Sequence, residues 1–454
     1  MKISIIGTGY VGLVTGVCLA KKGHNVICVD RVESIINSIN SGIAPIFEKH
    51  LEDLLLEVIR DKLTATSDVG YAVENSEVSI IAVGTPFSEG NIDLKNVKEA
   101  AYDIGVILKK KKDYHVVCVK STVIPTTTDT MILKTLEEAS GKKLGEFGLV
   151  MNPEFLREGN AVEDFMNPDR IIIGAMDDKS FEVFSKIYKS HFDAPIVKTN
   201  SRTAEMIKYT SNALLAALIS FSNEIAAISE EIGDTDALEV LEGVHMDRRL
   251  SLIVEGKITM PGIIKYLKPS RGFGGSCFPK DVKSLIAFSE KLGYKPKILK
   301  SVIEVNESQI ERLVLKLKDE IGEIRDKTIA ILGLAFKAGT DDIRESQSIK
   351  LIRRLIKEGA VLKCYDPIAI ENAKKELEEQ ANLEFYSNYE NTLLNADAAL
   401  IMTDWDTIAN ISIDVFKKLM KNPVIIDGCR ILIKNNIKEQ KTKYRGIGLR
   451  MIEK

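Results

Sequence analysis

The sequence predicts an α/β protein in which two doubly wound sheets are joined by a helical middle region with a long central helix. Three observations carry that prediction. A strand, a glycine-rich turn, a helix and a second strand open the chain. A helical periodicity then runs from Arg202 to Glu231, and a second strand–helix alternation starts near Lys327.

In order, Lys2–Ile6 reads as a buried parallel strand, followed by Gly7-Thr8-Gly9-Tyr10-Val11-Gly12 and a helix to Lys22 that Gly23 stops. Asn25–Val29 is the next strand and ends in Asp30. Further strands are expected at Val78–Val83, His115–Val119, Phe147–Val150 and Arg170–Ile173, with helices between them, which makes a parallel sheet. In the middle region Ala204, Ile207, Leu214, Leu215, Leu218, Phe221, Ile225 and Ile228 recur at helical spacing, and Gly233 closes the helix. On pattern alone this helix serves equally as a dimer spine or as an interdomain packing helix. In the second alternation, Thr328–Leu332 leads into Gly333-Leu334-Ala335-Phe336-Lys337, followed by strands at Val361–Tyr365, Ala398–Met402 and Val424–Asp427. It lacks a full GxGxxG, so it suits another phosphate-bearing ligand better than a second dinucleotide. The expected domains are residues 1–198, 199–310 and 311–454.

At 454 residues the chain is too long for one core, and its 45% hydrophobic and 28% charged residues are ordinary for a globular protein. The net charge of −3 and the lack of a basic block point away from nucleic acid and from an anionic membrane. Cys18, Cys28, Cys118, Cys277, Cys364 and Cys429 form no CxxC pair or zinc spacing. That fits a reducing cytoplasm and argues against a structural metal. The apolar stretch from Ile3 to Ala20 is interrupted by Gly7, Gly9, Gly12 and Gly16 and has no basic leader, so it reads as fold rather than signal sequence.

A lone GxGxxG is a weak signal. Here it follows a strand, opens a helix and precedes an acid at the end of the second strand, the context of a dinucleotide site. Asp30 suits the adenosine ribose hydroxyls and would repel a 2′-phosphate, which favours NAD over NADP, although Arg31 stands beside it. The loops Val83-Gly84-Thr85-Pro86 and Lys120-Ser121-Thr122-Val123 follow strand ends, where such sheets bind ligands. Each reads equally as ordinary turn chemistry.

Cys277 lies in Gly272-Phe273-Gly274-Gly275-Ser276-Cys277-Phe278-Pro279-Lys280-Asp281. With Ser276 as N-cap and Pro279 in the first turn, it is placed at a helix start, where the dipole favours a thiolate. The bland alternative is a buried core thiol. A dehydrogenase that takes an alcohol past the aldehyde to the acid has a use for such a thiol, because it holds the aldehyde covalently. Asn152-Pro153-Glu154-Phe155-Leu156-Arg157-Glu158-Gly159 is expected to form a short helix with Glu154 and Glu158 on one face. These carboxylates are candidates for handling water or a proton, or merely compensate the helix dipole. Lys208 and Asn212 share a face of the long helix. Position alone favours a solvated lysine, and a cleft would let it stabilise an alkoxide. Arg344, in a segment Asp342–Ser346 expected to open a helix, and Arg430, after the strand ending at Asp427, suit a diphosphate, and Phe273 or Phe336 can stack on a sugar or base; individually these read as surface charges.

Taken together, these residues resemble the UDP-glucose/GDP-mannose dehydrogenase family of nucleotide-sugar dehydrogenases from Lys2 to about Arg430, most specifically at Asn152–Gly159, Asp164–Arg170 and Gly272–Asp281. The resemblance implies an N-terminal NAD-binding Rossmann domain, a helical middle that makes a homodimer, and a Rossmann-like C-terminal domain for the nucleotide sugar. It implies two NAD-dependent oxidations of UDP-glucose to UDP-glucuronate through a thiohemiacetal and a thioester on Cys277. Lys208 and Asp281 would assist oxyanion and proton handling, Asn212 would hold water or substrate, and Thr122 and Glu158 would position the hydrolytic water. Gly7, Gly9, Tyr10, Val11, Gly12, Asp30, Thr85, Pro86, Ser121, Thr122, Glu154, Lys280 and Arg344 would meet the cofactor. Glu154, Phe155, Leu156, Lys208, Asn212, Phe273, Gly274, Phe336, Lys337 and Arg430 would meet the substrate.

The chain departs from the family pattern in places. The stretch from Asp247 to Gly272 is longer, with Asp247-Arg248-Arg249-Leu250 a loose echo of Asp-x-Arg-Ile-Gly. Thr126 stands where glycine is usual, and Cys429 interrupts the usual Asp-Gly-Arg. Lys265–Pro269 resembles the GDP-mannose branch. GDP-mannose or a UDP-N-acetylhexosamine is the alternative substrate, and a non-catalytic sensor of NAD or nucleotide sugar is the alternative from another class.

Overall fold

A computed structural model describes residues 1–88, 90–254, 257–432 and 443–450. The chain forms two compact units, Met1–Ser211 and Asn212–Lys454, and the division falls inside the helix Ser201–Ile232.

The first unit is built on eight strands: β1 (Lys2–Ile6), β2 (Asn25–Val29), β3 (Leu63–Thr66), β4 (Val78–Ile81), β5 (Val116–Val119), β6 (Gly148–Met151), β7 (Ile171–Ala175) and β8 (Ile196–Thr199). They lie in the order β8-β7-β6-β5-β4-β1-β2-β3. Ile3, Ile5, Val78, Ile80, Val116 and Val117 are fully buried, because helices cover both faces of a doubly wound sheet. The sequence did not announce β3 and β8. Both are edge strands with half their side chains toward solvent, so neither shows an apolar run. One expectation is corrected: β7 runs antiparallel to β6, so the sheet is not wholly parallel. β1 lies between β2 and β4, which makes its carboxyl end the topological switch point where such sheets bind ligands.

In the second unit six parallel strands lie in the order β11-β10-β9-β12-β13-β14: β9 (Thr328–Leu332), β10 (Val361–Tyr365), β11 (Leu383–Phe385), β12 (Ala398–Ile401), β13 (Val424–Asp427) and β14 (Lys443–Gly446). The helices Phe278–Lys291 and Lys297–Ile321 belong to this unit. The long stretch before Gly272 forms a hairpin, Leu252–Val254 with Lys257–Thr259, and a 3₁₀ turn at Gly262–Tyr266. Leu449–Arg450 pairs antiparallel with Thr235–Asp236. There the buried Glu230 accepts from Gly448 N–H (2.5 Å) and pairs with Arg312 (2.5 Å) and Lys316 (2.6 Å). That network anchors the last described strand to the helical part of the same unit.

Ser201–Ile232 is long and apolar enough to cross a membrane by length and composition. It also carries Glu205, Lys208, Asn212 and Asn223, all buried by polar partners or packing, as in a core helix.

Candidate active site

The Gly7–Gly12 turn has the geometry that a dinucleotide requires. Gly7 adopts φ +96°, and its N–H donates to Val29 O (2.8 Å), which turns the chain sharply out of β1. A Cβ at Gly12 would collide with the Gly7 carbonyl, whereas a Cβ at Gly9 would meet open space. The helix Tyr10–Lys21 therefore packs tightly while its amino end stays clear for a pyrophosphate. Asp30 accepts from the Thr8 hydroxyl (2.6 Å), the Thr8 N–H (3.0 Å) and the Val32 N–H (3.1 Å). Partial burial opposes its charge, but these donors outweigh burial and hold the carboxyl below its usual range. Arg31 reaches Glu99 (2.9 Å), an acid that competes with any 2′-phosphate for it. These residues fit NAD.

Tyr10 does more than follow the glycines. Its hydroxyl bonds to buried Glu48, whose carboxylate also accepts from Gly159 N–H (2.7 Å) and Ala161 N–H (2.9 Å). Val11 is half-buried beside it. No short motif marks Glu48, because its partners lie far along the chain.

The loops after β4 and β5 are stitched together. The Thr85 hydroxyl donates to Thr122 O (2.9 Å) and the Ser121 hydroxyl to Val83 O (2.7 Å), while Pro86 is exposed. Thr126, three residues beyond Val123, sits at φ +82°, where glycine is at ease. Buried Glu205 holds that turn through Thr126 N–H (2.7 Å) and Thr128 N–H (2.8 Å). Burial raises its carboxyl to about 7.

The segment Asn152–Gly159 corrects an expectation. It is irregular, with a turn at Glu158–Gly159, so no helix aligns Glu154 with half-buried Glu158. Asn152 does not cap a helix because its amide is already used. It accepts from Lys120 Nζ (3.0 Å) and Tyr188 OH (2.7 Å), and donates to Ile172 O (2.7 Å). Glu154 instead forms a buried ion pair with Lys208 at 2.7 Å, the two side chains being 6% and 4% exposed. Burial opposes the charge on Glu154, while Lys208 and the Leu156 N–H outweigh it and keep the carboxyl below its usual range. Lys208 is thus no solvated lysine. The Phe155 ring centre lies 4.2 Å from the Arg170 guanidinium and 5.6 Å from the Lys208 ammonium, and Leu156 is half-buried beside it. Sequence reasoning passed over Lys120, also buried, whose ammonium burial pushes down.

In the second unit Cys277 is itself the residue before the helix Phe278–Lys291, displacing Ser276 from the expected cap position. Pro279 lies in the first turn as expected. Cys277 is half-buried and unbridged, with the Ser276 hydroxyl 3.5 Å from its sulfur. Burial lifts the thiols of Cys18, Cys28 and Cys118 to about 12 and raises Cys364 and Cys429 too, which leaves them inert. One turn on, Asp281 is buried and held by Asn212 Nδ2 (2.6 Å) and Lys280 Nζ (2.5 Å). Lys280, expected at the cofactor, is committed to Asp281 here.

The loop before Cys277 is clamped. Asn306 accepts from Phe273 N–H (2.7 Å) and donates to Phe273 O (3.1 Å), which also accepts from Gln347 Nε2 (2.8 Å). Gly272 must lack a side chain, because a Cβ there would lie 2.5 Å from Asn306 Oδ1. Gly274 presses on the Glu345 carbonyl, and Gly275, at φ +80°, packs on the Phe336 ring and donates to Arg344 O (2.9 Å). The Phe273 ring is buried against Phe278, so it holds the loop rather than offering a stacking face. Phe336 is half-buried, with Lys337 Nζ 5.6 Å from its ring. Arg344 is exposed and forked onto Asp342 (2.6 Å). The guanidinium of Arg430, expected at a diphosphate, is buried on Asp236 (2.7 and 2.9 Å) and Ile447 O (2.7 Å). Among the described residues no cluster of three or more His, Cys, Asp or Glu is placed to hold a metal.

Fold and turn together define a dinucleotide-binding protein of the doubly wound class. Three family descriptions match in succession: the NAD binding domain of the UDP-glucose/GDP-mannose dehydrogenase family over residues 1–192, its central domain over 202–308 and its UDP binding domain over 330–434. The chain is 41% identical to the UDP-glucose 6-dehydrogenase AglM of Haloferax volcanii, over 95% of this chain and 97% of that one. It is 42% identical to the UDP-glucose 6-dehydrogenase TuaD of Bacillus subtilis, over 98% and 93%. The solved UDP-glucose dehydrogenase of Pyrobaculum islandicum superposes with a TM-score of 0.88 at 35% identity, over 98% and 97%. The chain belongs to the UDP-glucose/GDP-mannose dehydrogenase family.

Asn306→Ala should destabilise the second unit by about 2 kcal/mol, because it strands a buried N–H. The readouts are a lower urea midpoint and faster hydrogen exchange at the Phe273 amide. An unchanged midpoint would mean that the loop is held elsewhere.

Proposed function

We propose that this enzyme oxidises UDP-glucose to UDP-glucuronate in two NAD-dependent steps on one active cysteine. The observation that carries the reading is Cys277, unbridged at a helix start in a glycine loop clamped by Asn306, on a chain about 40% identical over nearly its full length to UDP-glucose 6-dehydrogenases. The Gly7–Gly12 turn and Asp30 would hold NAD, which would supply the hydride acceptor, one molecule for each of the two oxidations.

The chain's own groups do the rest. Lys208, buried beside Glu154, supports the alkoxide that forms as the alcohol loses its proton. The Cys277 sulfur adds to the aldehyde carbon to give a thiohemiacetal, which holds the aldehyde between oxidations. After the second oxidation the bound species is a thioester. Water positioned by Thr122 and Glu158 attacks its carbonyl, releasing the acid and returning the thiol. Asp281, fixed by Asn212 and Lys280, carries a proton in the exchange. Phe336 and Lys337 contact the nucleotide sugar at the carboxyl end of β9.

The enzyme works as a homodimer in the cytoplasm. Leu214, Phe221 and Ile228, seven residues apart on the long helix, are half exposed (51%, 51% and 50%) and form an apolar stripe that a second copy would cover. Six cysteines outside any disulfide suit a reducing compartment.

Limiting UDP-glucose with excess NAD should yield two NADH per sugar. No NADH would move the substrate to GDP-mannose or a UDP-N-acetylhexosamine, and one NADH would rule out the double oxidation. Sedimentation of Phe221→Asp should show monomers where the unaltered chain shows dimers. A dimer that survives would place the interface elsewhere.

A further inference from the structure

Arg271 precedes the cysteine loop and is only 6% exposed. Its N–H donates to Gly428 O (2.7 Å), its Nη2 to Phe336 O (2.6 Å) and its Nη1 to Cys429 Sγ (3.0 Å). The partners of the guanidinium are therefore a neutral carbonyl and a thiol. Among the described residues no carboxylate lies within ion-pair distance of it. Of the acids nearby, Asp427 accepts from Cys429, Ile431 and Leu432 N–H and from Tyr444 OH, and the exposed Asp404 accepts from Ala338 N–H (3.4 Å). Arg430, as deeply buried, has Asp236 as its counter-charge.

A guanidinium stays ionised in any protein, and a buried charge without a partner is costly, so the position calls for an anion. Its place says which anion. Phe336 O is four residues past the end of β9 and Cys429 two past the end of β13, and ligands of parallel sheets bind at these carboxyl ends. The Phe336 ring packs on Gly275 of the cysteine loop, and Lys337 adds a second cation.

We propose that Arg271 binds the diphosphate of the nucleotide-sugar substrate. The assignment rests on the nucleotide-sugar reading above. A fork of N–H donors matches two phosphoryl oxygens, and five donors leave room for them beside the carbonyl and the thiol. The same residue then joins substrate binding to the loop that carries Cys277.

Calorimetric titration of the full chain with UDP and with uridine tests this. Arg271→Ile should weaken UDP by about 10- to 100-fold, the worth of one or two charge-assisted bonds, and leave uridine unchanged. If Arg271→Ile does not fold, Arg271→Lys keeps the charge and loses the fork, and should still weaken UDP selectively by about fivefold. Equal loss for UDP and uridine, or UDP binding unchanged in a folded variant, would overturn the assignment and leave the substrate reading standing. An unaltered chain that binds no UDP would overturn both.

Discussion

Asn306 grips the peptide of Phe273 on both polar edges, and the cysteine loop takes its course from that grip. A side-chain amide offers a donor and an acceptor side by side, so it reads a backbone N–H and C=O as a neighbouring strand would. Gly272 leaves room for the amide, Gly274 and Gly275 bring the next turn against Glu345 and Phe336, and the helix starts straight after Cys277. Phe273, Asn306 and Gln347 are buried, so the loss of one of these bonds would leave a polar group unpaired. A nucleophile that must meet an aldehyde in one orientation needs such rigidity more than it needs exposure.

The two sheets show how one local plan yields different sites. In the first, Gly7 turns at φ +96° with its N–H on Val29 O. In the second, Gly333 turns at φ +101° with its N–H on Tyr365 O, both at 2.8 Å. An acid ends the next strand in each case, Asp30 and Asp366. There the likeness stops. Asp366 is buried and spends its carboxylate on Leu334, Ala335, Ile368 and Ala369 N–H and on Trp405, and no helix opens directly behind Gly333. Leu334 and Ala335 are amides of the turn after β9, and Asp366 takes both, so that turn offers a dinucleotide fewer free donors than the Gly7–Gly12 turn. Asp30 accepts from only one backbone amide of its turn and remains partly exposed, which leaves it for a ribose.

What the sequence disclosed follows that division between local and distant causes. The Gly7–Gly12 turn, Asp30, the central strands of both sheets and the long helix were legible because glycine freedom, apolar runs and helical spacing act over a few residues. Cys277 was placed at a helix start by its neighbours alone, one residue off in the cap. The Asn152–Gly159 helix failed because local cap chemistry lost to distant partners: Lys120, Tyr188 and the Ile172 carbonyl claim the Asn152 amide. The burial of Lys208 on Glu154, the grip of Asn306 and the unpaired charge of Arg271 all span long separations, and no motif spacing encodes them.

The central claim is that Cys277 carries the sugar between its two oxidations. Acid quenching during turnover with UDP-glucose and NAD, followed by mass analysis of the peptides, tests it most directly. The account predicts that the Cys277 peptide gains the mass of the sugar nucleotide acyl group, at a level that rises in Glu158→Gln, where thioester hydrolysis slows. Turnover that proceeds at full rate in Cys277→Ala, or an adduct on another residue, would contradict it.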